Sequence, residues 1–123
     1  VKRLLHNAQV LTDAGFGNDL GVLIEGERVA AIAPLQELHG AQVGQYDLRG
    51  EYLVPGFIDC QVNGGGDVLF NDDPSVQTIA RIAQAHRQFG TTGLLPTLIS
   101  TDIGTMRAAI EAFDAGASVG VIS

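Results

Sequence analysis

The sequence predicts a mixed α/β chain in two parts: a β-rich stretch over residues 1–52, then strands alternating with helices over residues 53–123. Three observations carry this expectation. No apolar run of helical period and helical length occurs before Leu53. Two later segments, "NDDPSVQTIARIAQAHRQFG" and "TDIGTMRAAIEAFDAG", have that period and open on capping residues. Each is flanked by short, apolar, strand-like runs. Strand–helix–strand alternation implies a parallel sheet with right-handed crossovers.

Taken in order, "LLHNAQVLT" reads as one strand. "DLGVLIEGERVAAIAP" reads as two, Gly21–Glu25 and Arg28–Ala33, joined at Gly26, with Val22 and Ile24 alternating in the first. "GQYDLRGEYLVPG" carries a turn at Arg49 and Gly50. "YLVPGFIDC" is mostly apolar, the pattern of a strand buried on both faces. The first helix has Asp73 as its cap, Pro74 at its first position and Gly90 at its end. Its inner face is Val76, Ile79, Ile82, Ala83 and Phe89. "TGLLPTLIS" is a second buried strand. The second helix has Asp102 as its cap and Ile103, Met106, Ile110 and Phe113 inside, and "ASVGVIS" begins a third strand. Such a βαβαβ unit leaves sheet edges open, and a closed (β/α)8 barrel of ~250 residues would pair them. The expectation is therefore the start of a (β/α)8 barrel, with the chain stopping in barrel strand three.

Composition narrows the function. With 46% hydrophobic and 17% charged residues over 123 positions, the chain is of globular type and long enough for one ordinary domain. Seven basic against fourteen acidic residues give a net charge of −7. That argues against nucleic acid or an anionic membrane as a partner, since both reward clusters of Lys and Arg. The single cysteine, Cys60, can form no internal disulfide, and no metal-type cysteine spacing exists. No apolar run approaches the ~18 residues of a membrane span. The apolar run in "VKRLLHNAQVLTDAG" is too short for a signal sequence. A cytoplasmic protein is the expectation.

The stretch richest in chemistry is "LVPGFIDCQVNGGGD". Gln61 and Asn63 are two residues apart, so on a strand their carboxamides share one side. Gly56, Gly64, Gly65 and Gly66 crowd the same region. They suit either a tight loop or the close approach of backbone to a ligand, and both readings stay open. Asp59 has the parity of Gln61 and Asn63; it either faces the same site or caps a neighbouring backbone group. Thr97, near the end of the second strand, either lies by the face where barrel sites form or satisfies local backbone. Cys60 alternates away, as a packed, unreactive thiol. His86, at helical spacing from Ile79, Ile82 and Phe89, reads as a boundary residue and not a ligand. His6 and His39 have no carboxylate or thiol at ligand spacing. Asp67, Asn71, Asp72 and Asp73 do not have the spacing of a calcium loop, and capping and solvation explain them. "GGGD" lacks the Lys-Ser/Thr of a P-loop.

"VLIEGERVAAI" followed by "DLRGEYLVPGFID" resembles the entry into the amidohydrolase superfamily, in which a small β-sandwich precedes a (β/α)8 barrel and P-G-[FL]-[IV]-D leads into barrel strand one. Most members continue with H-x-H, two histidines that bind a catalytic metal. Here Gln61 and Asn63 stand in those places. That Q-x-N-G pattern, with "FND" and "GTTGLLPTLIS", is similar to the N-acetylglucosamine-6-phosphate deacetylase family, and the resemblance runs through essentially all 123 residues. A carboxamide is a poor metal ligand beside imidazole or carboxylate. The substitution thus implies that one of two metal positions is lost, leaving one divalent ion (zinc or similar). The alternative is that Gln61 and Asn63 merely pin the Gly64–Gly66 loop.

By resemblance, the metal ligands are a Glu in a G-x-H-x-E-G-P-type motif and two later histidines, with a later Asp as acid/base. All are expected beyond Ser123, and none maps onto this sequence. The resemblance implies attack of metal-polarised water on an acetamide, giving glucosamine 6-phosphate and acetate. It also implies a phosphorylated amino-sugar substrate and a homodimer. Two rivals remain. A dihydroorotase-like or aminoacylase-like amidohydrolase would normally show H-x-H at positions 61 and 63. An inactive fragment or binding module would bind no metal tightly.

Overall fold

The computed structural model describes residues 1–38 and 43–118. It divides into two compact units, Val1–Pro55 and Gly56–Ser123. His39 lies outside the described residues.

The first unit holds strands β1 (Lys2–His6), β2 (Gln9–Thr12), β3 (Gly15–Gly17), β4 (Leu20–Glu25), β5 (Arg28–Pro34), β6 (Gly44–Asp47) and β7 (Tyr52–Leu53), with a 3₁₀ turn at Leu35–Glu37. They form a four-stranded sheet in the order β5-β4-β1-β6 and a three-stranded sheet in the order β3-β2-β7. "LLHNAQVLT" is two strands, not the single one expected. The chain breaks at Asn7, whose φ is +56°, a left-handed conformation that Asn tolerates better than most residues. That break lets β1 join one sheet and β2 the other.

The Asp47 carboxylate braces the break, accepting from Asn7 Nδ2 at 2.6 Å and from the Arg49 amide at 2.8 Å. These bonds, the backbone one foremost, hold its pKa below the ordinary carboxylate value. The expected turns at Gly26 and at Arg49 and Gly50 are present, all three residues with positive φ. Between the sheets, Ala8, Val10 and Val22 are buried with Leu5, Leu20, Ile24, Leu48 and Leu53 packed around them.

The second unit holds β8 (Phe57–Val62), β9 (Gly64–Gly65), β10 (Val68–Leu69), α1 (Val76–Arg87), β11 (Thr91–Pro96) and α2 (Ile103–Ser118). β8 and β11 pair in parallel, from Thr91 opposite Phe57 to Pro96 opposite Val62, with α1 between them in sequence. Its core is Val62, Phe70, Ile79, Ile82, Leu94, Ala109 and Ala112. The result is an α/β chain with sheets, and among the described residues no helix is long and apolar enough to cross a membrane.

Several expectations are corrected here. "YLVPGFIDC" is not one buried strand. Tyr52 and Leu53 pair with β2, whereas Phe57 and Ile58 begin β8 and are 61% and 74% exposed. Among the described residues β8 pairs only with β11, which leaves much of it uncovered. Cys60, expected to be packed, is likewise exposed.

The cap of α1 is Ser75, whose hydroxyl accepts from the Thr78 amide at 3.2 Å. Pro74 precedes the cap, and Asp73 acts one step back, accepting from the Ser75 and Thr78 hydroxyls at 2.9 and 2.8 Å. Phe89 lies past the last helical residue, so helical spacing no longer governs it, and it is 80% exposed. Gly90, at φ +93°, does end the turn.

Asp102 caps α2 as expected, accepting from the Thr105 amide at 3.0 Å and its hydroxyl at 2.7 Å. The buried face of α2, however, carries Ala109 and Ala112, while Ile103, Met106 and Ile110 are exposed. Small residues let the helix axis approach the core closely, and the large side chains project to the side. α2 also runs through Ala117 and Ser118, which the expected third strand had included. The rest of that strand, residues 119–123, lies outside the described residues.

Candidate functional site

The site candidates gather at the carboxyl ends of β8 and β11. Pro96 pairs with Val62 there, and the Thr97 amide continues the ladder onto the Val62 carbonyl at 2.8 Å. Gln61 and Asn63 therefore flank the last paired residue of β8.

Their carboxamides do different things. Asn63 is half-buried, and its Nδ2 donates to the Thr97 carbonyl at 2.8 Å. Gln61 is exposed, and its side chain makes no hydrogen bond among the described residues. Asp59 is turned onto backbone, accepting from the Gln61 amide at 3.0 Å. The Thr97 hydroxyl also serves local backbone, donating to the Leu95 carbonyl at 3.1 Å. Of these residues, Gln61 presents the free polar group.

The glycine run is a hairpin. Gly65 pairs with Val68 and Gly64 with Leu69. The two connecting residues, Gly66 and Asp67, have φ of +62° and +64°, as a type I′ turn requires. The absence of side chains is used against protein, not open space. A Cβ on Gly64 would run into the Val68 carbonyl. One on Gly65 would lie 2.8 Å from His86 Nε2, and one on Gly66 would lie 3.3 Å from Ala85 Cβ. Helix α1 thus lies directly against the hairpin. His86 Nε2 sits 3.0 Å from the Gly64 carbonyl, to which it donates as the Nε2–H tautomer. His86 is therefore a boundary residue that pins the glycine hairpin to α1. The signal was available, since His86 lies four residues after buried Ile82.

Asn71, part of the "FND" stretch and expected to serve capping or solvation, does neither. It follows β10, and its carboxamide meets Ile99 on both edges, with Nδ2 donating to the Ile99 carbonyl and Oδ1 accepting from the Ile99 amide, each at 2.8 Å.

The donor set of the described residues does not compose a metal site. Among the described residues no three His, Cys, Asp or Glu side chains come together to hold an ion. Gln61 and Asn63 bring only neutral carboxamides, whose oxygens are weak ligands beside imidazole or carboxylate.

The chain is 35% identical over 111 residues to N-acetylglucosamine-6-phosphate deacetylase of Haemophilus influenzae, covering 90% of this chain. The chain resembles the N-terminal portion of such deacetylases. It is also 55% identical over 67 residues, 54% of its length, to N-acetylgalactosamine-6-phosphate deacetylase of a Shewanella strain. The crystal structure of N-acetylglucosamine-6-phosphate deacetylase from Pasteurella multocida superposes with a TM-score of 0.89 at 30% identity, covering 96% of this chain. The chain spans 29% and 17% of the lengths of those two relatives and 31% of the crystallised chain. No family model matches it.

Proposed function

We propose that this chain is the N-terminal part of an enzyme that hydrolyses the acetamide of N-acetylglucosamine 6-phosphate to glucosamine 6-phosphate and acetate. The observation that carries this reading is the match over nine-tenths of the chain to a deacetylase of that name, together with Gln61 and Asn63 at the end of β8. On this reading residues 1–52 are part of a small β-sandwich and residues 53–123 the opening of a (β/α)8 barrel. The parallel β8–β11 pair with α1 between them supports that assignment.

In the reaction water adds to the acetamide carbonyl, the C–N bond breaks, and the amine leaves with a proton. The chain's contribution is to build one part of the cleft. Gln61 offers a carboxamide able both to donate and to accept toward substrate or water, and Asn63 keeps the ends of β8 and β11 together. Among the described residues no set of metal ligands converges, so each step is assigned only to groups of this chain. A single divalent ion, a homodimer and a cytoplasmic location are expectations of the same resemblance.

A second reading differs only in the sugar. The 55% identity to a galactosamine-type deacetylase favours N-acetylgalactosamine 6-phosphate as substrate. Acetate release by the full natural polypeptide carrying this sequence, assayed on both sugar phosphates and on unphosphorylated N-acetylglucosamine, separates the readings. Faster release from one phosphate identifies the substrate. Release from neither would overturn the proposal.

A further inference from the structure

We infer that Asn71 is a positioning residue for the deacetylase reaction proposed above, acting by clasping the segment after β11 onto the residues that follow β10, which the Phe70 amide ties back to Asn63 at the end of β8. The inference rests on that functional reading for its catalytic consequence, and on the hydrogen bonds alone for the clasp.

The geometry is that of a missing strand. Asn71 bonds both the N–H and the C=O of Ile99 at 2.8 Å, the pair of bonds that one residue of a neighbouring strand would make. The orientation of the amide is dictated, because an N–H can face only the oxygen and a carbonyl only the NH₂. Asn63 adds a third bond, to the Thr97 carbonyl. Two asparagines at the ends of the stretch "NGGGDVLFN" therefore grip alternate residues of one segment, Thr97 and Ile99. The stretch itself is anchored by the hairpin, by Phe70 in the core and by the bond from the Phe70 amide to the Asn63 carbonyl at 2.8 Å.

The segment so held continues from the carboxyl end of β11, beside the carboxyl end of β8. That is the end of a parallel sheet where ligands bind. The ladder ends with the Thr97 amide on the Val62 carbonyl, and beyond it a displacement of about 1 Å near reacting groups is enough to slow a reaction markedly. Gln61 immediately precedes Val62, whose carbonyl holds the Thr97 amide, so a segment released at Ile99 disturbs the strand end that carries Gln61.

The test uses the full natural polypeptide, as wild type, N71A and N71D. N71D keeps an acceptor for the Ile99 amide but sets an oxygen against the Ile99 carbonyl, and it remains informative should N71A be insoluble. Hydrogen exchange at the Ile99 amide is expected to quicken about tenfold or more in N71A and by less in N71D, which keeps that acceptor, with exchange at Ile79 and Ile82 in α1 unchanged. On N-acetylglucosamine 6-phosphate, kcat is expected to fall and KM to rise about threefold or more. A shrunken folded fraction would lower apparent kcat and leave KM where it was. Unchanged Ile99 exchange would overturn the clasp. Faster Ile99 exchange with kcat and KM of wild type would overturn the positioning role. If the wild type hydrolyses neither sugar phosphate, the functional reading falls and the positioning role with it, while exchange at Ile99 still decides the clasp.

Discussion

Gln61 and Asn63 are equivalent in sequence and different in use. Asn63 spends its NH₂ on the Thr97 carbonyl, while Gln61 stays exposed, so Gln61 presents its whole carboxamide and Asn63 is partly committed to the fold. Replacing both by histidine, Gln61→His with Asn63→His, is expected to raise the metal content of the full polypeptide, because imidazole binds divalent ions that carboxamides leave alone. Elemental analysis after dialysis checks this, and an unchanged metal-to-protein ratio would refute the explanation given for the pair. The same double variant loses the bond to Thr97. Gly65→Val tests the hairpin. Its first side-chain carbon would meet His86 at 2.8 Å, so His86 must leave the Gly64 carbonyl or the hairpin must shift. Stability should fall by about 1–3 kcal/mol, the usual cost of overpacking, read from the urea midpoint. Wild-type stability in that variant would show that the close fit to α1 is dispensable.

The helices of the second unit depend on their caps. Ser75→Ala removes the acceptor for the Thr78 amide and the hydroxyl that ties Asp73 to the cap. It should lower stability by about 1 kcal/mol, read from the urea midpoint with unchanged slope. At the start of α2, Asp102 is capped onto the Thr105 hydroxyl and amide, and these bonds hold its pKa below the ordinary carboxylate value of 3.8. The folded state therefore binds this proton more weakly than the unfolded state. The stabilisation is complete above the unfolded value and is lost as pH falls through the lower, folded one. Asp102→Asn should remove that acid dependence, so that the Thr105 amide resonance, which moves on acidification of the wild type, stays in place in the variant. An Asp102 titration at or above its ordinary pKa would count against the cap.

At the level of the whole molecule, the described residues supply folding interactions and no converged set of metal ligands. Among the described residues no set of ligands converges on one point, so the 123-residue polypeptide by itself is expected to bind no divalent cation tightly. Equilibrium dialysis against zinc decides this; stoichiometric binding at micromolar zinc would show a ligand set that the described residues do not contain. Exposed apolar side chains tell the same story in packing. Phe57 and Ile58 on β8 and Ile110 on α2 stand in solvent, although their apolar character suits burial on a further strand or helix.

Much of this was legible in the chain itself. Helical period with capping residues located α1 and α2, positive-φ residue types located the turns at Gly26 and Gly50, and the spacing of Gln61 and Asn63 marked the end of β8, because local backbone preference and periodicity act over a few residues. The tertiary structure decided what depends on neighbours distant in sequence. Asn7 divides one expected strand between two sheets because the alternative partners, β4 and β7, come from elsewhere. Ser75 displaces Asp73 as the cap because the proline between them holds the carboxylate one step outside the helix. Ala109 and Ala112, and not the larger Ile110, face the core because close approach of α2 leaves room only for small side chains. Asn71 finds Ile99 across 28 residues, and no period or motif could disclose a bond whose two partners meet only when β8 and β11 lie side by side.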